Sequence, residues 1–179
     1  MYRATLAHPA DLDGFRKAAR TALALKIAPE ALDWAVAGET TGLDLASPLP
    51  PMPDAPAPRV PRQFVELAEL AICNRAPERF RLLHSLLVRL QASPRLLEDR
   101  SDPEVDAVSE LAKAVSRDRH KMRAFVRFRE TEDEAAKHYI AWFEPSHHIL
   151  RLNIGFFIRR FAAQRWTILT PELSAHWDG

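Results

Sequence analysis

The sequence predicts an α+β fold, a small and mostly antiparallel sheet covered by several helices. Three observations carry that expectation. Three stretches in the middle of the chain repeat apolar residues at helical spacing. After Arg119 the pattern switches to a two-residue alternation. Apolar residues make up 47% and charged residues 27%, the composition of a chain that buries a core rather than one that stays disordered. At 179 residues the chain can build one good core, with room for a second small lobe.

Taken in order, Tyr2 to His8 reads as a short strand. Asp11 to Lys26 reads as a helix striped by Leu12, Phe15, Ala19, Ala22 and Leu23, and Leu32 to Ala37 as a further strand. Residues 1–46 thus form a strand-helix-strand segment. Between Ser47 and Pro61, seven of fifteen residues are proline, which removes backbone donors and favours an extended linker or surface arm. Residues 62–179 hold the helical region and a C-terminal motif region, expected to pack as one domain with 1–46.

The helices of the middle are Arg62 to Asn74, Pro77 to Gln91 and Pro103 to about Arg119. Pro77 and Pro103 suit a first helical turn, and Asp102 before Pro103 suits an N-cap. From Arg119 the odd positions read Arg119, Lys121, Arg123, Phe125, Arg127 and Arg129, and the even positions are largely apolar, so a strand with one basic face is expected. Glu130 to Ala136 is an acidic connection and Lys137 to Glu144 a returning strand. A loop centred near Asp133 and Glu134 sets Arg123 opposite Glu144, Phe125 opposite Trp142 and Arg129 opposite His138. Ser146 can cap an amphipathic helix from Ile149 to Ala162, softened at Gly155. Trp166 to Leu169 is a short strand, followed by a turn into Ser174 to Gly179.

Cys73 is the only cysteine, so no intrachain disulfide and no cysteine-based zinc site can form, and a reducing cytoplasmic setting fits best. The thiol is expected to be a small core side chain. No apolar run is long enough for a spanning helix, so no membrane partner is expected. The net charge of +1 hides a local imbalance: residues 117–165 contain eleven Lys or Arg against six Asp or Glu, a net of 11 − 6 = +5, leaving −4 for the rest.

A basic face with flat groups on it suits nucleic acid, because phosphates need cations and bases need a surface to stack on. The candidates are Lys121, Arg123, Arg127 and Arg129 for phosphate and Phe125 or Trp142 for stacking, with Arg159 and Arg160 extending the field. The alternative is a solvated strand whose arginines pair with Glu130, Glu132, Glu134 and Glu144. His120, His138, His147, His148 and His176 lack ligand spacing, so no metal site is assigned. Ser174, His176 and Asp178 are too local along the chain for a hydrolytic triad. No grouped glycines suggest a phosphate loop, and no cofactor is expected.

Four blocks are distinctive: His120-Lys121-Met122-Arg123-Ala124-Phe125-Val126-Arg127-Phe128; Ala141-Trp142-Phe143-Glu144-Pro145-Ser146-His147-His148; Phe156-Phe157-Ile158-Arg159-Arg160-Phe161; and Trp166 to Glu172 followed by Ser174 to Gly179. In this order they resemble a bacterial family of DNA-metabolism proteins, a domain of unknown function. It is found alone beside a radical-SAM protein assigned to DNA repair, or as an N-terminal extension of uracil-DNA glycosylase-superfamily proteins. The family often carries a proline before the paired phenylalanines, where this chain has Gly155.

The resemblance implies a process, DNA repair or metabolism, and partners in a glycosylase-like domain of the same chain or a radical-SAM repair protein. It supplies no catalytic residues. A chain ending at Trp177-Asp178-Gly179 is expected where a domain boundary has been cut. Three readings follow: a non-catalytic DNA-binding or targeting module; an adaptor gripping a repair enzyme through Trp142, Phe156, Phe157 and Trp177; or an enzyme acting on damaged DNA with His120, Glu144 or His176 as acid or base.

Overall fold

The computed structural model describes residues 1–39, 46–56, 58–133 and 136–179, with the side chains of 132, 133 and 136 left aside. The chain divides into two compact units, Met1–Lys113 and Ala114–Gly179. The fold is mixed α+β, but the expected single, mostly antiparallel sheet is replaced by two: one parallel and three-stranded, one mixed and four-stranded.

In the first unit β1 (Tyr2–Leu6), α1 (Leu12–Ala24) and β2 (Leu32–Val36) form a strand-helix-strand unit whose two strands pair in parallel, Tyr2 opposite Leu32 through Leu6 opposite Val36. The helix starts where Asp11 accepts from the Gly14 amide at 2.8 Å, while its other oxygen takes the Ala7 amide at 2.9 Å. Gly14 leaves room for this cap, since a Cβ would fall 2.2 Å from the Asp11 carboxylate and displace it. Ala4, Ala22, Ile27 and Leu32 form a core cluster that Trp34 and Leu49 flank.

The proline-rich arm is not wholly a spacer: β3 (Ser47–Pro48) pairs in parallel with β1, on the side away from β2. Helices α2 (Arg62–Ala71), α3 (Arg79–Ala92) and α4 (Pro103–Phe125) follow. Asp102 caps α4 as expected, accepting from the amides of Glu104 and Val105 at 3.0 and 3.1 Å. Cys73 is buried, and burial pushes its thiol up to about 11, which suits a core side chain rather than a nucleophile.

The largest departure is α4, which runs six residues past Arg119. The expected basic strand from Arg119 to Arg129 does not exist. Its first seven residues are helical, Val126 to Phe128 have no regular structure, and β4 (Arg129–Asp133) begins only at the last arginine. The buried positions Val108, Ala112, Val115, Asp118 and Met122 recur every three or four residues, so the stripe that started the helix continues through the apparent alternation. Arg, Lys, Met and Ala are strong helix formers and oppose a strand there.

In the second unit, β4 and β5 (Ala136–Trp142) form the expected hairpin with a register two residues from the expected one: Arg129 faces Ile140, and His138 faces Thr131. A shift of two preserves which side chains share a face. The expected loop centre at Asp133 and Glu134, with arginine pairing to Glu132 and Glu134, falls outside the described side chains. Asp118, buried on α4, accepts the His147 amide at 2.9 Å. Then come α5 (Leu150–Arg160), β6 (Trp166–Leu169), as expected, and β7 (Ser174–Trp177) where only a turn was expected. Ser146 does not cap α5, whose N-cap is Ile149 without a side-chain bond, and α5 passes through Gly155 unbroken. The order is β4-β5-β6-β7, with β5 and β6 parallel and the other neighbours antiparallel.

Ala141, Trp166, Ile168 and Ala175 occupy the buried face of this sheet. Phe157 of α5 joins them, in edge contact with Trp166 at 6.3 Å and with Phe128 at 6.2 Å. Phe128 also meets Phe161 at 5.1 Å, so aromatic rings dominate this core.

Candidate nucleic-acid interface

Because α4 turns 100° per residue, the residues that a strand would line up are dispersed around it. Lys121 points out with Arg117 and His120, whereas Arg119 and Arg123 are half-buried on another side. Arg123 donates from Nε to Asn153 Oδ1 at 2.7 Å, and its guanidinium lies 4.8 Å from the ring centre of Phe156, both on α5. Asn153 is fully buried and donates its amide to the Met122 sulfur at 3.1 Å. Burial first, and then the charges of Arg119 and Arg159, push the Arg123 pKa down from its ordinary value. Three arginines from two helices therefore share one locality.

None of them is ion-paired to an acid among the described residues. Among the described residues, Arg119, Lys121, Arg123, Arg127, Arg129, Arg159 and Arg160 form no ion pair with a carboxylate. The Arg119 Nε is buried with no hydrogen-bond partner among those residues. Glu130, expected to offset an arginine, instead bonds Lys137 at 2.8 Å, and Glu144 accepts from the Trp142 indole at 3.1 Å. Arg127 spends its guanidinium on the carbonyls of Ala124 and Val126, and Arg160 lies 5.4 Å over Phe161. Phe125 is 65% exposed at the end of α4.

The four aromatic residues of the adaptor reading do not form one surface. Phe157 is a core residue, Phe156 lies beneath Arg123, and Trp177, half-buried, donates to the Ala162 carbonyl at 3.0 Å. Trp142 alone is widely exposed, at 56%. Among the acid-base candidates, His120 is exposed on α4, Glu144 holds Trp142, and the hydrogen bonds of His176 go elsewhere.

They go to a chain of polar groups that sequence reasoning missed. On the open face of the four-stranded sheet, His138 Nε2 lies 2.8 Å from Thr167 Oγ1. The same hydroxyl lies 2.8 Å from His176 Nδ1, and His176 Nε2 lies 2.6 Å from Asp178 Oδ1. The two imidazoles meet edge to face at 5.6 Å. His138, Thr167 and His176 each sit on an outward position of their strands, for Thr167 a signal the alternation of Trp166 to Leu169 carried, and Asp178 follows β7. Their convergence depends on β5, β6 and β7 being neighbours, which no local pattern reveals. Elsewhere His148 Nδ1 pairs with Glu172 at 2.8 Å. Among the described residues no group of three or more His, Cys, Asp or Glu could hold a metal ion, and no helix is long and apolar enough to cross a membrane.

A comparison with curated proteins and one with solved structures each give no match. A family model does match, over residues 77–177, a range that takes in α3, α4, the four-stranded sheet and α5. That range is more than half of the chain, and it contains both the arginine group and the whole His138–Thr167–His176 chain, with Asp178 just beyond it. The protein belongs to the family of the domain of unknown function DUF4130.

Proposed function

We propose that this chain is a non-catalytic DNA-binding or targeting module of DNA metabolism. The observation that carries this reading is the group formed by Arg119, Arg123 and Arg159, in which the charges of Arg119 and Arg159 both bear on Arg123 and none of the three is ion-paired to a carboxylate among the described residues. Folding such a group together costs stability, and a phosphate diester is the partner that would recover it through charge-assisted hydrogen bonds. Exposed Phe125 and Trp142 add stacking surfaces, and Arg160 and Lys121 lie exposed on the same two helices. The resemblance of the C-terminal blocks to DNA-metabolism proteins supports the choice of DNA. It also suggests service to a uracil-DNA glycosylase-like or radical-SAM repair enzyme in the cytoplasm.

Fluorescence anisotropy with labelled oligonucleotides at several salt concentrations tests the proposal. Three phosphate contacts give a slope of about −3 in log K against log salt, since each contributes about −0.9 on duplex DNA. The paired substitutions Arg159→Glu and Arg160→Glu, both at exposed positions, should weaken binding and flatten that slope. Binding that ignores both salt and the charge reversal would sink the reading.

A further inference from the structure

The open face of the β4-β5-β6-β7 sheet carries groups that the arginine locality does not use. We propose that this face is a second, proton-gated site for an unpaired nucleotide, with Trp142 stacking the base and His138, Thr167 and His176 receiving the adjoining phosphate. The proposal rests on the nucleic-acid reading for its class of ligand and shares Trp142 with it, but its anion-binding residues are different.

Hydrogen-bond directions along the polar chain follow from what each group can donate. The Asp178 carboxylate only accepts, so His176 donates to it from Nε2, and a neutral His176 must accept at Nδ1. The donor to Nδ1 is then the Thr167 hydroxyl, whose oxygen is left to accept from Nε2 of His138. In this neutral arrangement every donor between the rings is consumed internally. A phosphate arriving at the face finds no free hydrogen on Thr167.

Adding a proton to His176 reverses the middle link. Nδ1 becomes a donor, Thr167 Oγ1 accepts from both rings, and the hydroxyl hydrogen is released toward the open side. Two imidazolium rings 5.6 Å apart would repel. Asp178 balances one ring and lies 3.9 Å from Arg165 Nε as well. On the β4 side, the positions sharing the face with His138 are Thr131, directly opposite, Arg129, of positive charge, and Asp133, of negative charge. An arriving anion would balance the positive charge that protonation adds between the rings.

The base comes into the argument through Trp142. It occupies the same face of β5, two residues beyond Ile140, which pairs with Thr167. That places its backbone position about 7 Å along the strand from the Ile140–Thr167 pair, from the usual rise of about 3.3 Å per residue. Glu144 fixes the indole edge through Nε1 and leaves the ring widely exposed. A stacking ring beside an anion site suits a nucleotide whose base is unpaired, because a duplex hides its base faces.

The test is anisotropy of the full chain with a labelled oligothymidine strand and with a matched duplex, at about pH 8 and about pH 5.5 and constant ionic strength. Single-strand binding should tighten about tenfold on acidification, the size of one added charge-assisted contact, and duplex binding should change far less. His176→Gln with His138→Gln, or Thr167→Val, should abolish the pH response. Trp142→Ala should weaken single-strand binding at least about fivefold. Arg159→Glu with Arg160→Glu should lower affinity at both pH values and leave their ratio intact. An equal pH response in the histidine variants, or an equal response with duplex, would overturn this proposal alone. Absence of nucleic-acid binding at every pH would overturn both this and the DNA-binding reading.

Discussion

Arg123 Nε and Asn153 Oδ1 are 2.7 Å apart, and this bond ties the end of α4 to the middle of α5. It is the one side-chain hydrogen bond that Arg123 makes among the described residues, and it fixes the orientation of the central cation of the arginine group. Asn153 is fully buried, so its other polar atom also matters, and it is given to the Met122 sulfur.

Asn153→Leu should therefore destabilise the second unit even though leucine is apolar and of similar size. The substitution leaves a half-buried guanidinium short of an acceptor, a loss of about 1–3 kcal/mol. Urea denaturation would register it as a lower midpoint. Arg123→Met in the same background should recover part of the loss, because it removes the orphaned donor. A double mutant less stable than Asn153→Leu would contradict this account.

His84 gives the first unit a distinctive pH dependence. Its ring is fully buried against the edge of Trp34, with both nitrogens lacking hydrogen-bond partners among the described residues. Burial pushes its pKa down to about 4, against a weaker opposing effect of Glu30. Below about pH 6.5 the unfolded chain takes up a proton that the folded one refuses, so stability falls as pH drops from 6.5 toward 4 and then levels. The whole decline is about 3 kcal/mol for this group. Stability of His84→Leu compared with the parent at about pH 7 and about pH 4.5 should show the pH slope reduced, and an unchanged slope would refute the assignment.

Gly155 is an exposed residue inside an unbroken helix. A Cβ there would lie 3.4 Å from a terminal nitrogen of Arg159, an ordinary contact with the far end of a flexible side chain. Gly155→Ala should raise stability by about 0.5–1 kcal/mol, by reducing the freedom of the unfolded chain and favouring the helix. A lower thermal midpoint would mean that the Arg159 position is fixed by more than the helix.

Much of the fold was legible because it depends on local periodicity. The strands at Tyr2 and Trp166, α1, α2, α3, the start of α4 at Asp102 and the hairpin parity followed from spacing and caps, although α3 begins at Arg79, two residues after the expected Pro77. The region from Arg119 to Phe125 was misread because its polar residues fall at odd positions by coincidence, and seven residues satisfy a period of 2 and a period of 3.6 almost equally. Extending the stripe from Val108 and Val115 to Met122 would have separated the two. At the site, the composition already placed the positive charge in the last third of the chain, but not which cations meet.

The sequence by itself determined that this protein has an apolar core built mainly from amphipathic helices, a local excess of arginine, a lone core cysteine and a distinctive C-terminal third. Only the tertiary structure decided that Arg123 meets Asn153, that Phe157 is core while Trp142 is surface, and that Thr167 joins His138 to His176. The physical reason is range. A helical stripe is set by residues three and four apart, whereas contacts between α4 and α5, or across three strands, join residues about thirty positions apart whose meeting depends on how whole elements pack.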